Sequence, residues 1–166
     1  MLQLPNLTDP ACCEFPPTSR EFTPIPYLFI IAKEVVKEKY YTSQKLLLVD
    51  NSEENPRKQD VTIMCLTEWK DQPLPPVGSM VTFWKAAKDI ARVNRSTITV
   101  CHDGITGCDL YLALSFLLER MLVEKECDVY LAVQSVRRSR RDYVPSLEHL
   151  KYLYDAAVTY TEFFKG

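Results

Sequence analysis

One stretch constrains this chain of 166 residues more than any other: Thr97-Ile98-Thr99-Val100-Cys101-His102-Asp103-Gly104-Ile105-Thr106-Gly107-Cys108-Asp109. A β-branched run ends on a cysteine and a short glycine-bearing loop follows. Apolar residues then recur at helical spacing, at Leu110, Ala113, Leu114, Leu117, Leu118 and Met121. The pattern predicts strand, loop, helix. The first N–H groups of a helix have no partner within it, so a loop entering a helix collects donors and attracts anions. A cysteine at the first position of such a loop, here Cys101, sits where a thiolate is stabilised. The expected geometry is a nucleophile facing an anion.

A phosphate held there would be a dianion, and the side chain that grips a dianion bidentately is the planar arginine fork. The loop instead carries Asp103, whose carboxylate repels the ligand that the amides attract.

Upstream, residues 1 to 24 are rich in Pro, Thr, Asp and Ser and read as irregular, with a short strand at Cys12 to Phe15. Extended runs at Tyr27 to Val36, Tyr40 to Val49 and Val61 to Leu66, joined by turns, predict an antiparallel meander. The charged turn between the last two spans Asn51 to Asp60. Val77 to Val93 reads as a helix, with Met80, Val81, Trp84, Ala87, Lys88 and Ala91 three and four apart. Cys127-Asp128 offers an N-cap for a helix carrying Val129, Ala132, Val133 and Val136. The last helix is expected from Ser146 to Phe164. The fold class is therefore α/β (α+β), with the helices packed on a mixed central sheet that contains the meander.

A net charge of −2 gives no global pull toward nucleic acid, while the cluster Arg137, Arg138, Arg140 and Arg141 taken alone admits a localisation or nucleic-acid reading. No run is long enough to cross a membrane, and the N-terminus has no signal-peptide pattern. Six cysteines without a CxxC pair predict reduced, mostly buried thiols in the cytoplasm rather than a disulfide framework. Neither a metal nor a cofactor is expected.

The stretch around Cys101 resembles the signature loop of the protein tyrosine phosphatase family, His-Cys-x5-Arg-Ser/Thr-Gly, which here reads Val100, Cys101, five loop residues, Gly107, Cys108, Asp109. Two more segments resemble the family in its order. Trp69-Lys70-Asp71 is similar to its Trp-Pro-Asp loop, and Val144-Pro145-Ser146-Leu147-Glu148-His149 is similar to its Val-Gln-Thr-x-x-Gln stretch. Cys12-Cys13-Glu14-Phe15-Pro16-Pro17 resembles the Cys-x-x-Tyr/Phe-Trp-Pro motif that ends one of its sheet strands, with the Trp replaced.

The resemblance covers about residues 12 to 164, and it implies roles. Cys101 becomes a vestigial nucleophile, Asp71 a vestigial general acid, and residues His102, Asp103, Gly104, Ile105, Thr106 and Gly107 the phosphate-loop backbone. The cluster Arg137, Arg138, Arg140 and Arg141 becomes a helix end. It also marks the departures. Gly107 stands where the family has arginine, Pro145 stands where it has a water-orienting glutamine, and His149 replaces the second glutamine. The family's N-terminal portion has no counterpart, so residues 1 to 166 read as a single, N-terminally truncated domain.

Three altered loops on a retained framework resemble the membrane-distal, catalytically impaired domain of receptor-type phosphatases. The expectation is a pseudophosphatase that docks with an adjacent catalytic phosphatase domain or with phosphotyrosine-signalling proteins, without contacting nucleic acid or membrane itself. Two alternatives stay open: weak phosphotyrosine hydrolysis through Cys101 and Asp71, and redox sensing by Cys101 paired with Cys108.

Overall fold

The structure is a computed structural model that describes residues 21–69, 73–91, 96–101 and 105–164. Among the described residues the sheet has four antiparallel strands in sequential order: β1 (Glu21–Ile25), β2 (Leu28–Lys37), β3 (Tyr41–Asp50) and β4 (Arg57–Leu66). The expected meander is β2, β3 and β4. Its register runs from Tyr41 opposite Leu66 to Asp50 opposite Arg57, and a bulge interrupts the β2–β3 ladder between Ala32 and Glu34.

Among the described residues four helices follow: α1 (Val77–Ala91), α2 (Thr106–Val123), α3 (Val129–Ser139) and α4 (Leu147–Phe164). α1 packs on β4, and α2, α3 and α4 close over it. The helices α2 and α3 bury the stripe that their periodicity marks, and α1 buries Met80, Val81 and Trp84 of its own. On α4 the expected stripe is corrected, since Leu147, Tyr154 and Val158 are exposed and the buried face is Tyr152, Leu153, Ala156, Ala157 and Tyr160. All six of the spaced apolar residues on α2 are buried, five of them completely inaccessible. Met80, Val81 and Trp84 from α1, and Leu153, Ala156 and Tyr160 from α4, meet that stripe together with Leu66 and Trp69. Burying one such leucine fully contributes about 1.5–3 kcal/mol, so the stripe on α2 is the main fastening within the helical layer, which meets the sheet through α1 on β4.

The helix ends follow local chemistry. The Asp128 carboxylate accepts from the Leu131 amide at 2.8 Å, the expected N-cap of α3. Ser146 caps α4, its hydroxyl accepting from the His149 amide at 3.3 Å. Arg120 near the end of α2 bonds Glu124 and Glu126, tying that helix to the connection that leads into α3.

Three sequence expectations are corrected. β1 forms within a stretch read as irregular; as an edge strand it tolerates Pro24, whose missing N–H costs no ladder bond there. β4 starts at Arg57 rather than Val61, because backbone pairing to Leu47–Asp50 extends the ladder through polar residues that face solvent. Thr97 to Val100 is not a strand: Ile98 is 86% exposed, Val100 is 48% exposed, and the segment joins no ladder among the described residues. β-branched residues favour strands only where a neighbouring strand pairs with them. Here a cavity separates the segment from the β4 edge. The described strands pair antiparallel throughout, and the expected α/β architecture of an antiparallel meander with the C-terminal helices packed on it is what forms.

Candidate active-site loop and its supports

Cys101 is 6% exposed and sits in the core beside Cys108 at the foot of α2. The Cys108 thiol donates to the Thr99 carbonyl at 3.5 Å, which stitches the first turn of α2 to the approach to Cys101. Of the residues assigned to the phosphate loop, Ile105 forms the N-cap of α2, while Thr106 and Gly107 lie inside its first turn. Ile105 supplies no side-chain cap, and its carbonyl accepts from the Asp109 amide at 2.8 Å. His102, Asp103 and Gly104 lie outside the described residues, as do Asp71, Cys12 and Cys13.

Both ends of the loop that carries Asp71 are held. Trp69 is 3% exposed, and the Ser79 hydroxyl near the start of α1 donates to the Glu68 carboxylate. The Thr67 amide donates to the Tyr40 carbonyl at 3.0 Å. This clip between Glu68 and Ser79 was not legible in the sequence, since its partners are separated by a loop with no periodic signal.

The stretch around Pro145 is held more tightly still. Val144 is buried with φ at 55°, a left-handed conformation that costs a β-branched residue strain. Its amide donates to Oδ2 of Asp109 at 2.9 Å, and its carbonyl accepts from Arg137 Nη2 at 2.8 Å. Arg137 Nε donates in addition to the Tyr143 carbonyl at 2.9 Å. Arg137 therefore has a structural task at the end of α3, as the helix-end reading of the arginine cluster expects.

Asp109 is completely buried. The signal that could have exposed its role is a lone acid at the start of an apolar helical stripe, which demands a buried partner. Beyond Pro145, the Ser146 hydroxyl lies 2.7 Å from Nδ1 of His149, while Nε2 of His149 and the Tyr152 hydroxyl are buried without a hydrogen-bond partner among the described residues. Burial pushes the Tyr152 phenol far above its usual value and raises Tyr111 as well.

A buried cysteine beside the positive end of a helix can support a thiolate or an oxyanion. At position 107, however, the turn offers only a hydrogen atom, and the acid two residues on is turned inward to Val144. No group of three or more His, Cys, Asp or Glu suited to a metal occurs among the described residues, and none of their helices is long and apolar enough to cross a membrane.

A cysteine-led loop at a helix N-terminus, set against an antiparallel meander, defines a phosphatase-like α/β domain. The family profile described as "Protein-tyrosine phosphatase" matches residues 1–159, and the chain belongs to that family. It is also 24% identical over 92 residues to a receptor-type tyrosine-protein phosphatase of Caenorhabditis elegans, an alignment covering 54% of this chain and 6% of the worm protein.

Proposed function

We propose that this domain is a pseudophosphatase: a tyrosine-phosphatase framework that turns over no phosphotyrosine and serves as a docking or regulatory module in phosphotyrosine signalling. The observation that carries the reading is Gly107, six residues after Cys101 and buried in the first turn of α2. Transition-state charge on a transferring phosphoryl group needs a fixed cation, and losing one such donor costs on the order of 2.7–4 kcal/mol of barrier. Pro145, with no side-chain hydrogen-bond capacity, removes the water-orienting group that the family supplies at the same place.

The weak likeness to a receptor-type enzyme supports a finer version of this reading. In it, the module is the membrane-distal domain of a receptor, lies in the cytoplasm, and pairs with a catalytic domain or a phosphotyrosine-signalling protein.

Hydrolysis of an aryl phosphate by the chain and by Cys101→Ser tests this directly. The expected rates are equal and at background. Turnover that vanishes in Cys101→Ser would instead establish a weakly active enzyme working through Cys101, with Asp71 as its acid.

A further inference from the structure

α4 is apolar on two sides. Its buried face packs on α1 and α2, and the other side carries Leu147, Lys151, Tyr154, Val158 and Thr161 at alternating spacings of four and three. At about 100° per residue these five fall in one stripe turned away from the core. Leu147 is 79%, Tyr154 53% and Val158 58% exposed. Single hydrophobic residues scattered over a surface need no explanation, whereas three in register along one exposed helix do. Alternating fours and threes make the seam of a coiled coil, the pattern by which one helix receives another.

Beside the seam runs a second row, Glu148, Asp155 and Glu162, spaced by seven and exposed. Seven residues make two turns, so the three carboxylates stand in file along one flank of the seam. None of them is in an ion pair among the described residues, whereas Lys33, Lys45, Lys85, Lys88 and Arg120 each hold a carboxylate elsewhere. Flanking charges choose the partner of a helical seam. An antiparallel second copy would set this row against itself, and a parallel one would set it against Leu150 and Ala157, which offer no cation. An anionic lipid surface is repelled by the same row. The complement of the row is a file of lysine or arginine.

We propose that the outer face of α4 binds an amphipathic helix of another protein, whose apolar seam is flanked by basic residues seven apart. The seam from Leu147 to Thr161 is about 21 Å long and takes about two heptads of the partner. A contact of that length and about 10 Å width is smaller than the about 800 Å² per partner of stable complexes, so the expected affinity is micromolar. The apolar seam supplies the attraction and the carboxylate row supplies the selectivity. This binding is independent of the catalytic state of the Cys101 loop.

The probe is an acetylated peptide of three repeats of Ile-Ala-Ala-Leu-Lys-Gln-Lys with a C-terminal fluorophore, added to the full 166-residue chain. One control replaces the flanking Lys by Glu, and another replaces the seam Ile and Leu by Ser. The expected result is saturable anisotropy for the parent peptide, weakened about 10-fold or more in each control. Val158→Lys, at an exposed position, is expected to weaken the parent peptide to the same degree with the melting temperature unchanged. Asp155→Lys combined with Glu162→Lys is expected to reverse the order, so that the Glu-flanked peptide binds more tightly than the Lys-flanked one.

Binding by either control as tight as by the parent would overturn the proposal, as would a parent peptide that does not saturate below about 1 mM. So would a dimer in sedimentation equilibrium, or capture by phosphatidylserine vesicles, that Val158→Lys abolishes, since a second copy or a lipid surface would then cover this face. Should a variant fail to fold, the three peptides on the unaltered chain decide the question unaided.

Discussion

The Val144 amide donates a 2.9 Å hydrogen bond to Oδ2 of Asp109, joining two buried residues 35 positions apart. The bond locks the segment before Pro145 to the first turn of α2, while Arg137 holds the same residue from its carbonyl side. The backbone before Pro145 is thus fixed from both sides, by Asp109 and by Arg137.

Removing the acceptor leaves a buried N–H on a residue already in a strained conformation. Asp109→Ala is expected to destabilise the domain by about 2–4 kcal/mol. Asp109→Asn retains a carbonyl oxygen for the bond and is expected to cost less than half of that. Urea unfolding followed by fluorescence of the two tryptophans measures both.

At Val144 the order of two substitutions is informative. Alanine loses two buried methyl groups and keeps the Cβ penalty at a φ of 55°, whereas glycine loses the Cβ as well but adopts that conformation freely. Val144→Gly is therefore expected to be more stable than Val144→Ala by about 1 kcal/mol, despite the smaller side chain. The reverse order in thermal melts would show that packing outweighs backbone strain at this position.

Tyr152 predicts an alkaline effect with a definite sign. Its pKa in the folded state is raised by burial above the unfolded value of 10.0, so the folded state holds the phenolic proton more tightly. This contribution to stability is fully present below pH 10 and is lost as pH rises beyond it. Because the hydroxyl also lacks a partner, Tyr152→Phe is expected to be neutral or stabilising at pH 7 by up to about 1 kcal/mol, and to resist unfolding above pH 10 better than the parent. Melting temperatures across pH 7 to 11 check both statements.

The thiols are expected to react in an order set by exposure. Among the described residues Cys65, Cys101 and Cys108 are buried, as expected of mostly buried thiols, and Cys127 is exposed; Cys65 is 4% exposed and its thiol is pushed up by burial. Under native conditions iodoacetamide should modify Cys127 at least about 10-fold faster than Cys65. Peptide mass spectrometry after timed quenching reads the ratio. In peroxide-treated protein the same analysis shows whether Cys101 and Cys108 form a disulfide, the step that the redox alternative requires.

The stripe from Leu110 to Met121, the caps at Asp128 and Ser146, and the order of the meander could all be read from the chain, because each is written in contacts between residues near one another in sequence. So could Gly107 and Pro145, since a missing side chain is visible without coordinates. The clamp on Val144 and the clip from Ser79 to Glu68 could not be read, as their partners come together only once the helices have packed.

Thr97 to Val100 marks the boundary most sharply. Its composition determined that it would pair as a strand if a neighbour were present, together with the helix periods, the caps and the cysteine-led loop. Whether a neighbour lies within hydrogen-bonding distance is a matter of how α1 and α2 seat against β4. That long-range packing leaves a cleft beside the segment, and a β-branched side chain has preferences but no means of supplying the strand it would pair with.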